Sequence, residues 1–274
     1  FTVHLLQVHH TIFGGLPQDK MIFLILLQNR FSVKIHPPHP LTYQEPSLAL
    51  QTTVRCCTMS VKCSAETHST PPSRSQVTPD MNILTTEGKC VSVFPGAAPG
   101  APAVYLNTSS GEGRKVLEAA RTAGCPPFTL VAISGLDWNR DMAPWDSPAA
   151  FRKGEPFTGG ADDYLRLLAE EILPKAEAGL PTPPAWRGIA GYSLAGLFAL
   201  YAIYQTDLFS RVGCISGSLW FPGIKEYCLS HEPRRTPDHL YFSLGNKEHK
   251  TRNQMIHCVR ENTEAIVDHV RKQG

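Results

Sequence analysis

No apolar run in this sequence is long enough to cross a bilayer. The strongest, Met21-Ile22-Phe23-Leu24-Ile25-Leu26-Leu27, falls far short of the roughly 18 residues a spanning helix needs, and Arg30 follows it closely. A secretory leader would place a basic stretch before such a run and a small-residue cleavage site after it. Here Gln28-Asn29-Arg30-Phe31 follows, so secretion is not inferred. Cysteine is present but unpatterned: of the eight, only Cys56 and Cys57 are adjacent, none forms a Cys-x-x-Cys pair, and none stands at zinc-finger spacing from histidines. That argues against a disulfide scaffold or a zinc module and fits free thiols in a reducing, cytoplasmic setting. An excess of charge of one sign is missing too. A net charge of +2 leaves no footprint for nucleic acid or an anionic membrane, so a small molecule is the expected partner. No oligomeric state is assigned.

What is present is the composition of an ordinary globular protein, 42% hydrophobic over 274 residues, enough for one large domain or two small ones. Residues 1–80 stand apart. They hold six of the eleven histidines and eight of the 23 prolines but only four acidic residues. Stretches such as His36-Pro37-Pro38-His39-Pro40 show neither helical nor strand periodicity, and proline removes the backbone donors both structures need. This segment is expected to be poorly structured, or not native to the domain that opens at Met81. Mass measurement of the endogenous N-terminus would decide the second point, a start at Phe1 refuting it. A metal site at His9-His10 or His36/His39 lacks the carboxylate or cysteine that would complete a ligand set, and no metal or cofactor is expected.

From Met81 the pattern is regular. Ala103–Asn107 and Phe128–Ser134 read as buried strands, and the helical stretch Arg114 to Ala123 between them is closed by Gly124. In a helix near Asp162–Ala176 the apolar Tyr164, Leu165, Leu168 and Ile172 share one face. Trp186–Ala190 is a short strand, Leu194–Tyr204 an apolar helix, Val212–Ser216 and His239–Leu244 are further strands, and Met255–Lys272 is the last helix. Alternation of this kind predicts an α/β domain with a mostly parallel sheet and helices on both faces.

Between the Trp186–Ala190 strand and the apolar helix stands Gly191-Tyr192-Ser193-Leu194-Ala195-Gly196. A serine hydroxyl becomes a useful nucleophile when a tight strand-to-helix turn presents it clear of the sheet, and such a turn demands small neighbours two positions away. The short pattern alone also describes an ordinary glycine-rich turn; its position between strand and helix favours a nucleophile elbow at Ser193. The helix that starts there aims the Leu194 N–H at a developing oxyanion. A second donor is expected from the polar loop after the Ala103–Asn107 strand, from Thr108 or Ser109, of which Ser109 is singled out. Glu248, in the loop after the His239–Leu244 strand, is the candidate acid, although a solvated charge between Lys247 and Lys250 is the plain alternative. Trp145 and Asp162, with Trp138, Asp141 and Asp163 nearby, are candidate pocket residues; core or loop packing is the competing role for the tryptophans.

The elbow with Leu197-Phe198-Ala199-Leu200, the stretch Phe209-Ser210-Arg211-Val212-Gly213-Cys214-Ile215-Ser216-Gly217-Ser218-Leu219-Trp220, the runs Asp141–Trp145 and Gly159–Leu165, and Tyr241–Glu248 resemble the esterase family of α/β-hydrolases that includes enterochelin-type siderophore esterases and esterase D. The resemblance spans about 81–274 and none of 1–80. It implies the α/β-hydrolase fold and ester hydrolysis through an acyl-enzyme on Ser193. It also implies a general-base histidine in a loop after one further strand beyond the last helix. The sequence reaches Gly274 directly after that helix, so the domain reads as incomplete at its C-terminus, with one sheet edge left unpaired and stability lowered. His249, His257 and His269 are read as solvated or helix-packed, and His231 and His239 as lying at the other end of the sheet. The leading expectation is a serine esterase for a small-molecule ester. The alternative is a truncated or non-catalytic hydrolase-fold protein without its histidine, and acyl transfer to an acceptor other than water would use the same elbow.

Overall fold

A computed structural model describes residues 2–8 and 81–273. In chain order these form β1 (Thr2–Val8), β2 (Asn82–Thr86), β3 (Lys89–Phe94), β4 (Ala103–Asn107), α1 (Gly113–Thr122), β5 (Thr129–Ser134), α2 (Trp138–Asp141), β6 (Asp146–Ser147), β7 (Phe157–Thr158), α3 (Ala161–Leu167), a π-helical turn (Leu168–Ile172), α4 (Leu173–Ala178), β8 (Arg187–Tyr192), α5 (Leu194–Gln205), β9 (Arg211–Ile215), α6 (Ile224–Ser230), β10 (His239–Gly245) and α7 (Val259–Gln273). The main sheet has the order β1-β10-β9-β8-β4-β5-β3-β2. From β1 to β5 every pairing is parallel, while β3 pairs antiparallel with both β5 and β2.

The central strands β4, β5, β8, β9 and β10 are buried along nearly their whole length because helices cover both faces. On one face, Val116, Leu117 and Ala120 of α1 pack on Val104, Leu106, Leu130 and Ala132. The other face carries α3 to α5 and α7, with Tyr105, Val131, Ile189, Val212 and Phe242 beneath them. Helix α5 is buried from Leu194 to Tyr204 and has no polar stripe, as expected of a helix enclosed on every side.

One feature adds to the sequence reading and another departs from it. The hairpin β2–β3 turns through Glu87 and Gly88, both at positive φ, the geometry of a two-residue primed turn. More consequential is β1. The N-terminal region reads as irregular, yet residues 2–8 form a strand parallel to β10, in register from Thr2↔His239 to Val8↔Gly245, and Val3 and Leu5 pack against the core. The sheet edge that the sequence leaves open beside β10 is therefore covered, and its ladder groups are paired. Residues 9–80 lie outside the described residues. Among the described residues no helix is long and apolar enough to cross a membrane.

Candidate active site

Parallel strands align their carboxyl ends, and the loops after β4, β8, β9 and β10 therefore meet at one edge of the sheet. Ser193 occupies the junction of β8 and α5 at φ 59° and ψ −120°, a conformation that L-residues adopt only when the surroundings impose it. The surroundings do so through backbone: Ser193 N–H donates to Ile215 O at 3.1 Å, and Ser193 O accepts from Gly196 and Leu197 N–H at 3.0 and 3.1 Å. Strand and helix approach so closely here that a Cβ on Gly191 would lie 2.3 Å from the Ala195 carbonyl carbon. That is the steric reason for the small residues in the motif. Because Leu194 opens α5, its N–H belongs to the first turn, whose amides have no acceptor within the helix.

Glu248 lies in the turn after β10, at the same edge. Its Oε1 accepts from Gly245 N–H at 2.7 Å and from Ser216 Oγ–H at 2.8 Å. Ser216 follows β9. Two residues on, Ser218 Oγ is 3.2 Å from Ser193 Oγ, and its N–H donates to Ser193 O at 3.0 Å.

The loop after β4 is more constrained than its composition implies. Thr108 N–H is taken by Ile133 O at 2.8 Å, which removes it as an oxyanion donor. Glu112 receives Ser109 Oγ at 3.0 Å and Ser110 N–H at 3.1 Å. Burial alone would raise its carboxyl, but these bonds and that from its own N–H hold it below the usual carboxylate range. The Ser109 N–H takes part in none of these bonds. Asn107, buried at the end of β4, accepts Tyr164 Oη–H on Oδ1 at 2.5 Å, while its Nδ2 has no partner among the described residues. Residue type and position gave no hint of that free donor.

A family model described as "Putative esterase" matches residues 107–269, from the end of β4 into α7. The chain belongs to this family. The uncharacterized protein YbbA of Bacillus subtilis (strain 168) is 23% identical over 182 residues, 64% of this chain and 73% of that protein. Among solved structures, an IroE-like serine hydrolase from Shewanella oneidensis superposes with a TM-score of 0.58 at 21% identity, covering 70% of this chain and 69% of that one. Enterochelin esterase from Shigella flexneri gives 0.51 at 20% identity, covering 73% of this chain and 52% of that one. At these identities the likeness speaks for the fold, and the α/β-hydrolase assignment stands.

Within this esterase-family frame, Trp145 and Asp162 meet at Tyr201, about 10 Å along α5 from its start. Trp145 Nε1–H donates to Pro222 O at 2.9 Å, and Asp162 accepts Tyr201 Oη–H at 2.9 Å. Burial, and then Asp162, raise the Tyr201 hydroxyl above its ordinary range. Asp141 is wholly buried in an ion cluster and has no surface to offer a ligand. Of the described histidines, His231 stacks on Tyr227 with centroids 4.2 Å apart, His239 starts β10 at the opposite edge, His257 bonds Gln254 O and His269 bonds Gln273. His249 follows Glu248, with Nδ1 buried and lacking a partner among the described residues. None of these histidines is hydrogen-bonded to Ser193 or Glu248. His9, His10, His36 and His39 lie outside the described residues. β1 ends at Val8 beside Gly245, where the Glu248 turn begins.

Proposed function

We propose that this chain is a serine esterase that hydrolyses a small-molecule carboxylic ester through an acyl-enzyme on Ser193. The observation that carries the reading is the strained presentation of Ser193 at the start of α5, on the sheet edge that also carries Glu248. Ser193 Oγ attacks the ester carbonyl carbon as its proton passes to a base. The carbonyl π electrons move onto oxygen, where the N–H groups of Leu194 and Ser109 receive the charge. Collapse expels the alcohol with that proton and leaves an ester on Ser193. Water then repeats the sequence and releases the acid. A histidine is the base such a site uses, with Glu248 to orient its second nitrogen. The names of the structural neighbours, a serine hydrolase and an enterochelin esterase, support the same chemistry.

The test is a fluorophosphonate probe on the full chain. One adduct on the Ser193 peptide is expected, together with hydrolysis of a p-nitrophenyl ester. Folded protein that takes up no label would instead be a hydrolase-fold protein without turnover. Once labelling is established, replacing each histidine in turn, His9 and His10 included, identifies the base by the loss of labelling.

A further inference from the structure

Between the nucleophile and the acid runs Ser216-Gly217-Ser218, the turn that leaves β9. Each serine serves a different member of the site. Ser216 Oγ–H donates to Glu248 Oε1 at 2.8 Å, and Ser218 Oγ lies 3.2 Å from Ser193 Oγ. Ser218 is 1% exposed, so its hydroxyl has no bulk water to turn to. The turn is tightly determined. Ser216 sits at φ 41° with its N–H on Ser243 O at 2.9 Å, and a Cβ on Gly217 would lie 2.2 Å from Cys214 Sγ. A non-glycine residue held at positive φ beside a reactive group is the pattern of a constraint imposed for a purpose.

We propose that Ser216-Gly217-Ser218 is a positioning bracket, in which Ser218 sets the Ser193 rotamer and Ser216 holds Glu248. This rests on Ser193 being the nucleophile. A serine side chain has three staggered wells, and only one aims Oγ at a bound carbonyl. The Ser218 hydroxyl selects that well by donating to Ser193 Oγ, and the same bond favours the oxygen as it gives up its proton. The bracket forms no covalent bond and keeps its own protons throughout. Its backbone bond, Ser218 N–H to Ser193 O, ties the turn to the elbow, so that nucleophile and acid keep their spacing.

The experiment compares fluorophosphonate labelling rates, and kcat and KM for a p-nitrophenyl ester, in the full chain and in Ser218→Ala, Ser218→Thr and Ser216→Ala. Ser218→Ala is expected to slow labelling and kcat about tenfold, with KM within about twofold, as for one lost hydrogen bond made to the reacting group. Ser218→Thr, which keeps the hydroxyl, recovers rates to within about threefold of the natural protein. Ser216→Ala lowers kcat several-fold at unchanged KM. If Ser218→Ala does not fold, Ser218→Cys keeps the volume with a weak donor and carries the same expectation. Labelling of Ser218→Ala at the natural rate, with the natural protein itself labelled, overturns the bracket and leaves the esterase reading intact. A natural protein that is folded and unlabelled overturns both.

Discussion

Ser193→Gly is expected to be more stable than Ser193→Ala by about 1 kcal/mol, while both variants lose about a millionfold in turnover, the scale seen when a hydrolase nucleophile is removed. Both substitutions delete the hydroxyl and its bond to Ser218, so that loss cancels in the comparison. What remains is the backbone. At φ 59° and ψ −120° a side chain costs on the order of 1–3 kcal/mol, which alanine still bears and glycine does not. Against this stands the extra freedom glycine has in the unfolded chain, about 0.5–1 kcal/mol. Relief exceeds that freedom, so the position holds conformational strain, as sites kept for function do. Urea unfolding midpoints of the two variants check the sign. Equal midpoints would mean that no strain is stored at this position.

The elbow is legible in sequence because its chemistry is local: six adjacent residues fix a turn, and the strand and helix around it read from their own apolar patterns. The central strands are legible for the same reason, since a strand covered on both faces becomes a nearly continuous aliphatic run. The edges are not. Strand β2, with Ile83 58% exposed, has no alternation to betray it, and β1 owes its conformation to β10, more than two hundred residues away in the chain. A strand defined by its partner leaves little trace in its own residues. The π-helical turn at Leu168–Ile172 likewise follows no period in the sequence.

The edge on which Glu248 lies could be read from sequence because topology alone sends the loop after β10 to the edge that carries the β8–α5 junction. The serines of the bracket could not be given a role, since their partners lie 25 and 32 residues away. Neither could the fate of Thr108. Its side chain suits an oxyanion loop, and only the register of β4 against β5 shows that its N–H is already taken. Trp145 and Asp162 both reach α5 at Tyr201, a meeting point that their own spacing in the sequence does not show.

Asp141 shows how far a polar residue of this fold can be from solvent, and its replacement by alanine is expected to cost about 3–5 kcal/mol. The carboxylate is 0% exposed and receives Lys89 Nζ, Arg140 Nη1 at 3.1 Å and the Asp137 N–H at 2.9 Å. The two cations do not share the loss equally. Arg140 is 44% exposed and also reaches Asp163 at 2.9 Å, so it keeps a partner and water. Lys89 is 12% exposed and lies 5.9 Å from the Tyr164 ring centroid; without Asp141 its charge is left buried and unpaired. The penalty therefore belongs to the abandoned lysine more than to the lost attraction. It follows that Lys89→Met combined with Asp141→Leu should recover most of the stability lost in Asp141→Ala, because a buried pair exchanged for apolar groups of similar volume is near neutral. Denaturant midpoints of the natural protein, the single variant and the double variant decide the matter. A double variant as unstable as Asp141→Ala would place the loss instead in the Asp137 N–H and the packing of α2.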